Sequence, residues 1–199
     1  MPMDADWTQT IKRRLFEQRV VMVHGMLDDL VATQAAAELM TLDADGDSAV
    51  TLRIDSPDGA LDCALTLMDV VELMGVPVNA LCMGQVGAAS IGVVSVCSHR
   101  AAMPSTRFVL REPPSAPLEA RAREAMQWAE RRGEERRRYC ERVAQAAGCS
   151  SERVESDLGR GLFLGAAEAL EYGLVDEICR PEAQIHTMPG PPIGFRPQR

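Results

Sequence analysis

The sequence predicts an α/β fold in which helices cover a parallel sheet, and three observations carry that prediction. β-Branched runs alternate three times with stretches of helical periodicity in the first half of the chain, the pattern of strand–helix–strand crossovers. Gly, Pro or Asp clusters punctuate every transition. The third apolar run, through Cys82 and Met83, breaks at Gly84-Gln85 and restarts as the small-residue segment Ala88 to Val94, a strand-to-helix turn around which the rest of the chain is organised. With 199 residues of which 46% are apolar, a single core can form.

Taken in order, residues 1–18 read as an N-terminal arm, with Ile11, Leu15 and Phe16 forming an apolar face among Lys12, Arg13 and Arg14. Arg19 to His24, RVVMVH, is a β-branched run closed by Gly25, hence a strand. Asp28 or Asp29 caps the following helix, whose Leu30, Val31, Ala35, Leu39 and Leu42 recur at helical spacing. A turn over 43–48 leads to a second strand, Ala49 to Ile54. Asp55-Ser56-Pro57-Asp58-Gly59 breaks the chain before a helix over 60–74, which Gly75-Val76-Pro77 ends, and Val78 to Met83 is the third strand.

Beyond the turn, Ala101 to Met103 and Thr106 to Leu110 read as two short strands around Pro104-Ser105. A helix over 118–147, bounded by Pro117 and Gly148, spans about 45 Å at about 1.5 Å per residue, more than a compact domain of this size needs. Its middle, ERRGEERRR from Glu130 to Arg138, is charged all round, the pattern of a solvated face. Ser150 or Ser151 caps a helix running toward Asp157. Residues 19–180 thus form one domain, and 181–199 a proline-rich tail without periodicity, disordered in isolation.

Composition excludes several classes. A net charge of −8 offers no basic footprint for nucleic acid or an anionic membrane. No apolar run approaches the roughly 18 residues of a span, and MPMDADWTQ has no apolar signal core. The six cysteines form no CxxC pair and there are three histidines, so neither metal site nor cofactor is expected, and the thiols suit a reduced, cytoplasmic protein. Small residues at the turn can serve close helix packing alone. A serine there, Ser90, can also be a nucleophile, with helix-start amides facing a developing oxyanion.

Gly84-Gln85 followed by Ala88-Ala89-Ser90-Ile91-Gly92 resembles the nucleophile segment of the proteolytic subunit of the Clp protease (ClpP), Gly-Gln-Ala-Ala-Ser-x-Gly, with Val86 and Gly87 extra. Read with a gap, Ser90 is that family's serine; read without one, the position is vacant at Ala88. The C-terminal Ala169-Leu170-Glu171-Tyr172-Gly173-Leu174-Val175-Asp176 matches the same family's closing pattern and registers Asp157 on its third triad residue. Ser56-Pro57-Asp58-Gly59-Ala60 resembles its Ser-Pro-Gly-Gly-Ser turn, which implies an oxyanion role for the Gly59 amide beside those of Ala89 and Ile91. Asp58 replaces the first glycine and brings a carboxylate toward where negative charge would develop.

At the position of the general base, in the family's His-Gln-Pro, stands Arg111-Glu112-Pro113. A guanidinium cannot accept a proton near neutral pH. His99 lies in a polar turn, and His24 and His186 match nothing catalytic. The expectation is a charge pair between Arg111 and Asp157 in place of the missing proton relay.

The resemblance implies a ClpP/crotonase-like fold of repeated ββα units with a long projecting handle helix, and heptameric rings stacked in pairs. Pro113 to Pro117 stand where the family has a glycine-rich, substrate-binding strand, and proline lacks the N–H that pairing needs. Thr51 and Arg53 occupy second-strand positions where the family presents aromatic rings to its ATPase. Ile193-Gly194-Phe195 in the tail resembles the tripeptide by which Clp ATPases dock.

Three functions follow. One is a non-catalytic subunit in homo-oligomers or hetero-oligomers with a catalytic paralogue and a possible Clp ATPase. A second is an active serine endopeptidase using Ser90. A third is a crotonase-type acyl-CoA enzyme using carboxylates such as Asp58 and Asp157.

Overall fold

The computed structural model describes residues 3–113 and 122–179, with side chains from Thr10 onward and, in the long helix, from Met126. The predicted tail, including Ile193-Gly194-Phe195, and Pro114 to Pro117 lie outside the described residues. The elements run α1 (Met3–Glu17), β1 (Val20–His24), α2 (Asp29–Ala44), β2 (Val50–Ser56), α3 (Leu61–Leu73), β3 (Val78–Gly87), α4 (Ala88–Ser95), β4 (His99–Ala102), β5 (Arg107–Leu110), α5 (Ala122–Ala147), α6 (Ser151–Arg160), β6 (Leu162–Gly165), α7 (Ala166–Tyr172) and β7 (Glu177–Ile178).

The sheet is mixed but mostly parallel. Strands order β1-β2-β3-β4-β7 in parallel, and β5 pairs in parallel with β3 and antiparallel with β6. β2 alternates buried and half-buried residues, Val50, Leu52, Ile54 and Ser56 being the buried set, as period-2 side chains do when one face of a strand is the more covered. Asp28 caps α2 by accepting from the Val31 amide at 2.9 Å, one of the two capping residues predicted. α1 is tied down at its end by Phe16, which packs on the core. Every apolar element contributes to one buried cluster running from Val21 through Leu67, Ile91 and Phe108 to Val175.

Two departures from the sequence reading shape the functional region. β3 does not break at Gly84-Gln85 but continues to Gly87. Gly84, at φ 54°, takes a left-handed conformation that other residues avoid, and a Cβ there would run into the Asp55 carboxylate. Across this bulge β2 advances from Ile54 to Ser56 while β3 advances from Cys82 to Val86, so the extra length is taken up as a bend. The bend forks the sheet: Asn79 to Cys82 pair with β4, and Gln85 to Gly87 pair with β5. The two short strands around Pro104-Ser105 therefore do not pair with each other. Both lie against successive halves of β3.

Candidate functional site

The turn after β2 is built from the backbone outward. Leu27 forms an isolated parallel bridge with Gly59, its amide donating to the Asp58 carbonyl at 2.9 Å and its carbonyl accepting from Ala60 at 3.0 Å. The buried Ser56 hydroxyl donates to the same Asp58 carbonyl at 3.2 Å. A Cβ on Gly59 would collide with Leu27, and one on Gly87 would overlap the Pro57 carbonyl. Only glycine fits at either place. The end of β3 therefore presses directly on the Ser56–Gly59 turn, as a nucleophile elbow lies against its oxyanion loop.

The turn carries a carboxylate of its own. Asp58 Oδ1 accepts from the Gly59 amide at 2.9 Å, and its Oδ2 accepts from the Arg111 guanidinium. The Asp58 side chain is 16% exposed and Arg111 48%. The amide that the resemblance assigns to an oxyanion is therefore already bonded to an anion belonging to the chain itself. Arg111 is held at the end of β5, where the general base is expected, and Glu112 beside it meets Arg136 of α5 at 3.3 Å.

The expected partner of Arg111 is corrected here. Asp157 does not pair with it. The Asp157 carboxylate accepts from the Tyr172 hydroxyl at 2.9 Å and lies 3.8 Å from Arg153, while Arg153 stacks 4.8 Å over the Tyr172 ring. Burial, and then that hydrogen bond to the carboxylate, push the Tyr172 hydroxyl well above the ordinary phenol range. Asp157 is thus engaged with α6 and α7, and Asp58 with Arg111. The two carboxylates belong to separate clusters.

Ser90 is the third residue of α4, which begins at Ala88 with Gly87 as its cap. The whole of Ser90 is buried, at 0% exposure, and its Oγ has no hydrogen-bond partner. Ala88, at the first helical position, is buried as well, and its carbonyl accepts from the hydroxyl of Tyr139. The Tyr139 ring rises from α5 against Gly92, where a Cβ would meet it. It is fully buried, and that burial pushes its hydroxyl far above the ordinary range, so it stays a neutral donor. Of the other amides assigned to the oxyanion, that of Ala89 lies in the first turn, where helix geometry leaves donors free. The amide of Ile91 falls two residues further in, where helix geometry turns it back to the cap carbonyl of Gly87.

Sequence reasoning did not single out Tyr139 or the Asp58–Arg111 contact. For the second a signal existed, because Asp58 and Arg111 are opposite charges at two positions where the resembled family has neither. Among the described residues no group of His, Cys, Asp and Glu is arranged to hold a metal ion, and no helix is long and apolar enough to cross a membrane. His99 lies at the start of β4 against Glu177 at 3.1 Å and Asp176 at 3.8 Å, away from the turn.

A mostly parallel sheet packed with helices, a strand-to-helix elbow of small residues and a Ser-Pro-x-Gly turn against it define a mixed α/β domain. The family model for Clp protease matches residues 3–182, and the chain belongs to that family of serine proteases, whose members generally form oligomeric rings.

Proposed function

We propose that this chain is a non-catalytic subunit of a Clp-type assembly, acting through association with copies of itself or with catalytic paralogues. The observation that carries this reading is the Asp58 carboxylate on the Gly59 amide, braced by Arg111. Oxyanion stabilisation requires donors left open for charge that develops in the transition state. A resident carboxylate takes up the Gly59 donor and adds repulsion toward a second anion.

The remaining parts support the same reading. Arg111 cannot take a proton from a serine, and losing one member of a triad that acts as a unit removes nearly all of its turnover, about 10⁶-fold in a well-studied serine protease. Ser90 is enclosed in the core, where no acyl group reaches it. Cytoplasmic residence and heptameric rings, with or without a Clp ATPase, belong to this proposal, as does one continuous domain over 19–180.

The test is direct. Purified full-length protein should neither cleave a short fluorogenic peptide nor be labelled by a fluorophosphonate, and it should copurify with a catalytic paralogue. Labelling that disappears in Ser90→Ala would establish the serine endopeptidase instead. Saturable binding of an acyl-CoA would favour the crotonase-type alternative.

A further inference from the structure

Among the described residues β1 ends the sheet on one side, since β2 is its only strand partner. Its hydrogen-bonding parity is set at both ends. The Thr51 amide donates to the Arg19 carbonyl at 2.9 Å, and the Gly25 amide donates to the Asp55 carbonyl at 3.0 Å. In a parallel ladder alternate residues of a strand bond the same neighbour, so Val21 and Val23 face β2 while Val20, Met22 and His24 turn their N–H and C=O groups outward. None of these outward groups has a backbone partner among the described residues. Val20 is only 8% exposed, and a buried polar group without a partner costs about 1–3 kcal/mol. Free edges are often blunted by a proline, a lysine or a bulge, and VVMVH carries none of them.

A cavity of about 210 Å³ is lined by the same three residues of β1, together with Leu15 of α1 and Val31 of α2. The strand residues whose backbone is unpaired are therefore the ones that line it. Its volume falls below the about 300–1,000 Å³ of a small-molecule site and suits a single large apolar side chain. Lys12 and Glu38 also line it, opposite in sign, so it favours neither a polyanion nor a polycation.

We propose that the free edge of β1 is a binding site for an extended, unfolded segment of apolar polypeptide, which adds to the sheet as one more strand and sets a side chain in the cavity. Extended backbone supplies the alternating donors and acceptors that Val20, Met22 and His24 lack, and a side-chain pocket beside such an edge selects among segments. The five residues of β1 offer about 13 Å of edge at about 3.3 Å per residue, enough for a short linear stretch. With α1 and α2 both contributing walls, a strand already built into another sheet is kept out by its own neighbours, whereas a single chain without tertiary structure fits. Neither the elbow nor the Ser56–Gly59 turn includes any residue of β1. The inference therefore goes beyond the proposed function and holds whether or not Ser90 is a nucleophile.

Residue-resolved hydrogen exchange on the full-length protein tests it. The probe is a synthetic peptide of alternating Thr and Val with a central Phe, acetylated and amidated at its ends. With this peptide in excess, the amides of Val20, Met22 and His24 should exchange about tenfold more slowly, while those of Val21 and Val23, already bonded to β2, should not change. The same peptide methylated on every amide nitrogen has no donors left and should bind about tenfold more weakly. Val31→Arg, which fills the cavity from a half-buried position on α2, should weaken binding by a similar factor, and the methylated peptide decides the question if that variant fails to fold. Equal binding of the methylated peptide, slowing at Gly59 or Ala89 without slowing on β1, or no binding at all would each overturn the site. Outward amides that are already slow without peptide would overturn it as well, since a second copy or another segment of this chain would then hold the edge. Cleavage of the probe would count against the non-catalytic reading and leave the β1 site standing.

Discussion

At the residue scale, the decisive comparison is between two oxygens that both lie near the elbow. Ser90 Oγ is buried without a partner, so it carries the desolvation cost of an unsatisfied hydroxyl, of order 1–3 kcal/mol. Ser90→Ala should therefore raise stability, by about 1 kcal/mol in chemical denaturation, and leave peptide hydrolysis where it was. A catalytic serine would behave oppositely, losing activity with little change in stability. Asp58 is fully engaged, with the Gly59 amide on one oxygen and Arg111 on the other. Arg111→Ala should cost no more than about 1 kcal/mol, because half-exposed ion pairs contribute little. Tyr139→Phe removes the donor to the Ala88 carbonyl and should cost about 1 kcal/mol, a typical net value for one hydrogen bond. The identities of Asp58 and Arg111 were legible in the sequence as replacements, but their contact was not. It depends on how far the β3 bend brings β5 toward the turn, and that is a three-dimensional quantity.

At the element scale, strands and helices through β3 were readable because β-branched runs and capping residues act over a few positions: Asp28 caps α2 as its position before an apolar-periodic run requires. The end of β3 was not readable. Gly84-Gln85 has the composition of a break, yet the Asp55 carboxylate accepts from the Gln85 amide at 3.1 Å and keeps the strand going through a left-handed glycine. β6 and β7 escaped because four and two residues are too few to show a period, and both are specified by their partners. Closure at the far edge depends on Arg100. It pairs with Asp176 at 2.5 Å and donates to the carbonyls of Ala146 and Gly173 at 3.1 and 2.8 Å, joining β4 to the ends of α5 and α7. Its side chain is nearly buried while Asp176 is 37% exposed, so Arg100→Ala should cost about 1–3 kcal/mol, chiefly through the hydrogen bonds lost to the two carbonyls. The hydrogen bond from Arg100 holds the Asp176 carboxyl below the ordinary carboxylate range. The unfolded chain therefore takes up that proton first as pH falls. The contribution of Asp176 is complete above its ordinary pKa near 4 and declines as pH drops through the lower native value. Melting temperatures of wild type and Asp176→Asn should accordingly converge toward acid and separate above about pH 4.

At the scale of the whole molecule, the six cysteines report on how many cooperative units the chain has. Cys63, Cys82, Cys97 and Cys140 are buried on α3, on β3, after α4 and on α5, while Cys149 and Cys179 are half-exposed. Burial pushes the thiol of Cys63 up to about 11 and those of Cys97 and Cys140 up to about 12, and Cys82 higher still. Thiolate is the reactive form, so in native protein at neutral pH these four are protected twice over, by access and by ionisation. A thiol reagent should modify Cys149 quickly, Cys179 more slowly because burial pushes its thiol up as well, and the other four only when the structure opens. Because the four sit in different elements of one continuous cluster, they should gain reactivity together, at the denaturant midpoint seen by circular dichroism, if residues 19–180 unfold as one unit. Mass spectra taken along the transition should then show species with two or six modified thiols and almost none between. Early modification of Cys140 alone would mean that α5 releases before the sheet, and that the handle and the body are separate units.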